Sequence, residues 1–91
     1  MVTQADAQTH LEKADAFFKV GKYEAATVEY AKAIKSGDSN VNTFNSWGVA
    51  LRRLKRYDDA IEKYKQATEL DPNYAVAFNN WGNALSAQNE V

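Results

Sequence analysis

The sequence contains no cysteine and one histidine, His10. The first absence excludes a disulfide framework and thiolate chemistry. The second leaves any metal site to carboxylates alone, and no carboxylates cluster at ligand spacing, so neither a metal nor a cofactor is expected. Charge of one sign is also lacking. Twelve acids stand against eleven Lys and Arg, a net charge of −1, which speaks against nucleic acid or an anionic membrane as partner. No run approaches the ~18 continuous apolar residues that a membrane helix needs. The opening stretch MVTQADAQTH lacks the basic-then-apolar order of a signal peptide, and a cytoplasmic location is expected. No nucleophile motif surrounds any serine, so the chain is not expected to be an enzyme. What is present is an ordinary globular balance, 45% apolar and 25% charged in 91 residues. That is one domain's length with a modest core.

Within this plain composition one phrase occurs twice. FNSWGVAL at residues 44–51 returns as FNNWGNAL at 78–85, 34 residues later. The same offset places Tyr23 on Tyr57, Ala26 on Ala60, Tyr30 on Tyr64 and Ala33 on Ala67. Tyr74, Phe78, Trp81 and Leu85 fall at steps of three and four, as do Tyr57, Ala60, Ile61, Tyr64 and Ala67. Such spacing marks helical stripes. Small residues interleave with large ones, which lets paired helices approach and interlock. The pattern predicts helices at about 5–20, 23–36, 40–54, 57–70 and 72–88. Trp47, Tyr64, Ala60 and Ala67 are the expected buried set. Gly21, Lys55 and Asn89 occupy matching helix ends, where a left-handed residue is expected. Asp71 reads as a cap with Pro72 in the first helical position, and Asp38 or Ser39 as the cap before the third helix.

These landmarks together resemble the tetratricopeptide repeat, a 34-residue helix–turn–helix. Residues 41–74 carry Phe44, Trp47, Gly48, Leu51, Tyr57, Ala60, Tyr64, Ala67 and Pro72 in the family's places, with Trp47 for the usual Leu. Residues 7–40 match in the second helix, whereas His10 and Lys13 stand where Phe44 and Trp47 stand one unit later. Residues 75–91 match over a first helix. The resemblance implies one all-α domain over 1–91, a right-handed superhelical stack of antiparallel helix pairs (an α-solenoid). It would hold units 7–40, 41–74 and a partial 75–91, about two and a half repeats in five helices.

The resemblance further implies a concave groove lined by the first helix of each pair, holding a protein or peptide partner. Its exposed positions here are Asn42, Asn45, Val49, Arg52, Asn79, Asn80 and Asn83, with Gln8, Leu11 and Asp15 from the first unit. Asparagine both donates and accepts, so it can pair with a peptide backbone of any sequence. These residues read equally as solvated positions on amphipathic helices. The family's two-carboxylate clamp for chaperone tails uses Lys, Asn, Asn, Lys and Arg. Leu11, Asp15, Ser46, Val76 and Asn80 fill those places, without a cation, so that ligand is not expected. The basic stretch LRRLKRY at 51–57 reads either as a docking point for an acidic peptide or as favourable charge at a helix C-terminus. Two alternatives to groove binding stand: self-assembly into a homodimer through Phe78, Trp81 and Leu85, or a fragment of a larger scaffold or enzyme.

Overall fold

The computed structural model describes residues 4–90. Among them the chain forms five helices and no strand: α1 (Gln4–Lys19), α2 (Tyr23–Lys35), α3 (Val41–Arg53), α4 (Tyr57–Leu70) and α5 (Ala75–Asn89). α1 pairs with α2 and α3 with α4. α2 joins the two hairpins by packing on α3, and α5 packs on α4 and touches α3. The result is an all-α helical-repeat solenoid.

The helix ends follow one recipe. Gly21, Gly37 and Lys55 sit at φ 80°, 108° and 63°. After each helix two backbone N–H groups turn back to its last carbonyls: Gly21 to Phe18 and Lys22 to Phe17, Gly37 to Ile34 and Asp38 to Ala33, Lys55 to Arg52 and Arg56 to Leu51. Glycine adopts this left-handed end freely, whereas Lys55 does so against a steric cost of about 1 kcal/mol. Asn89 does not repeat it. α5 runs instead into Glu90 at right-handed helical angles.

Two caps differ from expectation. α3 is capped by Asn40, whose side chain accepts from Asn42 N at 2.8 Å. Asp38 acts one step earlier, accepting from Asn40 N. Before α5, Asp71 Oδ1 accepts from Asn73 N and Asp71 O from Tyr74 N. That local turn occupies Asp71, Pro72 and Asn73, so the helix starts at Ala75 rather than at Pro72.

The core is built from alanine against aromatic. Ala14, Ala26 and Tyr30 form one cluster, and Leu51, Ala60, Tyr64 and Ala84 form the other. Tyr64, Ala60 and Ala67 are completely buried. Trp47 is only partly buried: it touches both clusters, and its ring is covered by the Lys63 ammonium 4.0 Å from the centroid. Its extra bulk over leucine reaches the helix surface, where a cation on the ring face is favourable.

Gly48 explains the close approach of α3 and α4. A Cβ there would meet the Tyr64 ring at 2.5, 2.8 and 3.0 Å. The repeat-equivalent Gly82 would meet nothing within 4 Å. At Gly48 the glycine makes room for an aromatic ring; at Gly82 it only weakens the helix. Gly82→Ala is therefore expected to raise unfolding stability by about 0.5–1 kcal/mol, the ordinary helix-propensity gain. Gly48→Ala is expected to lower stability despite the same gain, because overpacking a closed site costs about 1–3 kcal/mol. Urea unfolding of both variants checks the contrast, and equal shifts of one sign would contradict it.

Candidate functional site

Positions 42, 45, 49 and 52 recur at steps of three and four, so Asn42, Asn45, Val49 and Arg52 run along one side of α3. Asn79, Asn80 and Asn83 share one arc of α5 by the same spacing. The two rows meet. Asn80 Nδ2 donates to Asn45 Oδ1 at 2.9 Å, and the Tyr74 hydroxyl donates to Asn42 Oδ1 at 2.7 Å. Asn45 and Asn80 are half-buried; Asn79 and Asn83 are exposed. Of the five expected groove residues, Asn45 and Asn80 are joined directly across α3 and α5, and Asn79 and Asn83 are exposed on α5. Arg52 is the fifth, further along the same α3 row.

The remaining expected positions divide. Val49 packs against the second core cluster and Leu11 against the first. Asp15 accepts from the Tyr30 hydroxyl at 2.8 Å. Burial, and then the Asp15 carboxylate, hold that hydroxyl protonated well above the ordinary tyrosine range. Leu11 and Asp15 of α1 face Asn40, Asn42, Thr43 and Ser46 across a recess of about 240 Å3. Its lining contains one acid and no cation.

Tyr64 is the repeat counterpart of Tyr30, but its surroundings differ. Where Asp15 serves the first unit, Val49 stands in the second and offers nothing to a hydroxyl. Burial raises the Tyr64 hydroxyl above its ordinary value, and the Arg52 guanidinium beside it pulls the other way. The Tyr64 hydroxyl and Arg52 Nε are both buried without a hydrogen-bond partner among the described residues. A buried polar group left so is costly, and the adjacent Arg52 guanidinium is the group placed to offset that cost at the Tyr64 hydroxyl. Sequence reasoning singled out Arg52 as a groove position and Tyr64 as core. It missed that the two are neighbours, which no spacing in the sequence signals.

The basic stretch at 51–57 is partly used within the fold. Arg56 pairs with Glu24 at 2.9 Å, and Arg53 lies over the Tyr23 ring. These contacts tie the end of α3 and the following turn to the start of α2. Midway along α2, His10 Nδ1 lies 2.8 Å from Glu29 Oε1, with Lys32 on the second oxygen at 3.4 Å. The His10 hydrogen bond chiefly holds the Glu29 carboxyl below its usual value. Among the described residues no cluster of three His, Asp or Glu could hold a metal, and no helix is long and apolar enough to cross a membrane.

Phe78, Trp81 and Leu85 lie on α5 with Gly82 between them. Phe78 and Trp81 stack at 6.3 Å, as Phe44 and Trp47 do at 6.4 Å. Phe78 is 47% exposed and Leu85 44%, whereas the equivalent Leu51 is 5%. The same phrase is thus enclosed in α3 and open in α5.

Comparison with known proteins agrees with this architecture. A family model described as TPR repeat matches residues 48–89. No curated protein matches the chain in sequence. Among solved structures, the Arabidopsis OM64 TPR domain is similar with a TM-score of 0.89 at 21% identity, covering 96% of this chain and 72% of that one. The second TPR of Spaghetti (RPAP3), bound to the HSP90 peptide SRMEEVD, is similar at 0.87 and 28% identity, covering 96% and 81%. The second TPR domain of human RPAP3, in complex with the HSP70 peptide SGPTIEEVD, is similar at 0.83 and 30% identity, covering 94% and 74%. With its paired helices, its 34-residue echo and these likenesses, the chain belongs to the tetratricopeptide-repeat family.

Proposed function

We propose that the chain is a non-catalytic protein-interaction module, one domain with units 7–40, 41–74 and 75–91, that holds an extended peptide along the α3–α5 asparagine seam. The observation that carries this reading is the joined pair Asn45–Asn80, flanked by exposed Asn79 and Asn83 and by the partly exposed Arg52. Such a surface offers donors and acceptors to a peptide backbone and an Arg to a carbonyl or carboxylate. The RPAP3 and Spaghetti domains, similar in fold, are bound to peptides. Those peptides end in Glu-Glu-Val-Asp. The recess between α1 and α3 here contains Asp15 and no Lys or Arg, which disfavours an acidic tail at that end of the face. The reading carries with it a cytoplasmic setting, and no nucleic acid or membrane partner.

Peptides selected from a displayed random library supply the probe. Asn79→Ala with Asn83→Ala is expected to weaken their binding about tenfold, the scale of one or two net hydrogen bonds. Stability should move by less than about 0.5 kcal/mol, since both side chains are exposed. Equal affinity for wild type and double variant would return these residues to a solvated surface.

A second reading rests on a separate observation, the open site at Gly82. α5 presents Phe78, Trp81 and Leu85 around a glycine that no ring fills, while Gly48 in the same phrase is filled by Tyr64. A second copy of the chain packing α5 against α5 would cover this face as a homodimer, and contiguous apolar faces of this kind commonly mark contacts. Sedimentation velocity over a hundredfold concentration range is expected to show a dimer that Leu85→Lys abolishes. A monomer throughout would remove this reading and leave the groove reading intact.

A further inference from the structure

A cavity of the described structure shares no lining residue with the asparagine seam. It has a volume of about 500 Å3 and opens between the C-terminal ends of α2 and α4 and the turn that follows α2. Ile34, Phe44 and Leu70 form its apolar part; Asp38, Gln66 and Glu69 supply its polar part. Asp38 Oδ2 and Gln66 Oε1 are buried and have no hydrogen-bond partner among the described residues. Both are acceptors, and no Lys or Arg belongs to the lining. Two helix C-termini, the negative ends of their dipoles, converge on it. The last turn of α2 carries Lys32 and Lys35, but that of α4 carries no basic residue. The site is also peculiar to this junction. A shift of 34 residues places Asp38 on Pro72, so the carboxylate replaces the proline of the next unit.

From this arrangement we infer that the cavity receives the side chain of a lysine or arginine from a protein partner. The methylene stem lies on Phe44, Ile34 and Leu70. The cationic head donates to Asp38 Oδ2 and Gln66 Oε1, with the Glu69 carboxylate adding charge. Long basic side chains bury an apolar stem while pairing their charged end in this way, and the bonds formed are charge-assisted. A carboxylate ligand would meet two acids, and a purely apolar one would leave both buried acceptors unpaired. None of its lining residues belongs to the asparagine seam, so this is a separate, charge-selective contact.

The test is an NMR titration of the 91-residue chain with three capped tripeptides: acetyl-Gly-Lys-Gly-amide and its counterparts with norleucine or glutamate in the centre. Norleucine keeps the stem and removes the cation. The lysine peptide is expected to shift the amides of Gly37, Asp38, Glu69 and Leu70 as a group, while the other two leave them in place. Asp38→Asn, which keeps an oxygen for Asn40 N, should weaken the lysine peptide about tenfold, the scale of one charge-assisted bond. Glu69→Gln, an exposed position outside that turn, should weaken it in the same direction. Equal shifts with norleucine, shifts scattered over all surface acids and unchanged in both variants, or no shift at the cavity would each overturn the inference.

Discussion

The Tyr64 ring occupies the space that a side chain at Gly48 would need, and the neighbouring packing is organised around that exchange of volume. With no Cβ in the way, α4 comes close enough to α3 for Ala60 and Ala67 to vanish from solvent. Alanine loses little entropy on burial, and Tyr64 supplies the apolar area that alanines lack. Tyr30 packs on α2 with Ala26 in the first unit, but there Ala14 stands where Gly48 stands in the second, so the ring meets a methyl group instead of an empty seat. A chain of only 91 residues builds two small cores, joined where Trp47 touches both.

The two fully buried rings, Tyr30 and Tyr64, each end in a hydroxyl, and the two hydroxyls have different fates. Tyr30 finds Asp15, which completes the first unit internally and makes the recess beside it acidic. Tyr64 finds Val49 at the matching place and stays unpaired next to Arg52. The repeat has therefore diverged at the point where core meets groove. The first unit spends its polar group on its own stability, and the second leaves its hydroxyl buried without a hydrogen-bond partner among the described residues.

Much of the fold was legible because its signals are local or strictly periodic. The 34-residue echo located the hairpins, and the step of three and four fixed which side of each helix is apolar. Gly21 and Lys55 marked left-handed ends because the sequence aligned them. The errors came where a short turn competes with a helix. Asp71 could cap α5 or close an Asx turn with Asn73, and it closes the turn. Asn40 displaced Asp38 and Ser39 as the cap by the same local competition. Trp47 was expected inside, but a ring larger than leucine reaches the rim. Of the site, the asparagine row could be read, since it follows helical spacing. The Asn45–Asn80 bond and the Arg52–Tyr64 neighbourhood depend on how helices are set against one another, and so does the cavity at Asp38. Residue order alone carries no signal for them.

If the Tyr64 ring seated on Gly48 locks α3 to α4, stability should fall where the matching seat is empty. α3 and α4 enclose Gly48, whereas α5 is covered on the α4 side and open at Gly82. Native-state hydrogen exchange measures this residue by residue. The account predicts that the core amides of α3 and α4 exchange only through global unfolding. Those of α5 should open separately, at a free energy lower by about 1 kcal/mol or more. Protection of the α5 amides equal to that of α4, in a chain shown to be monomeric under the same conditions, would contradict it.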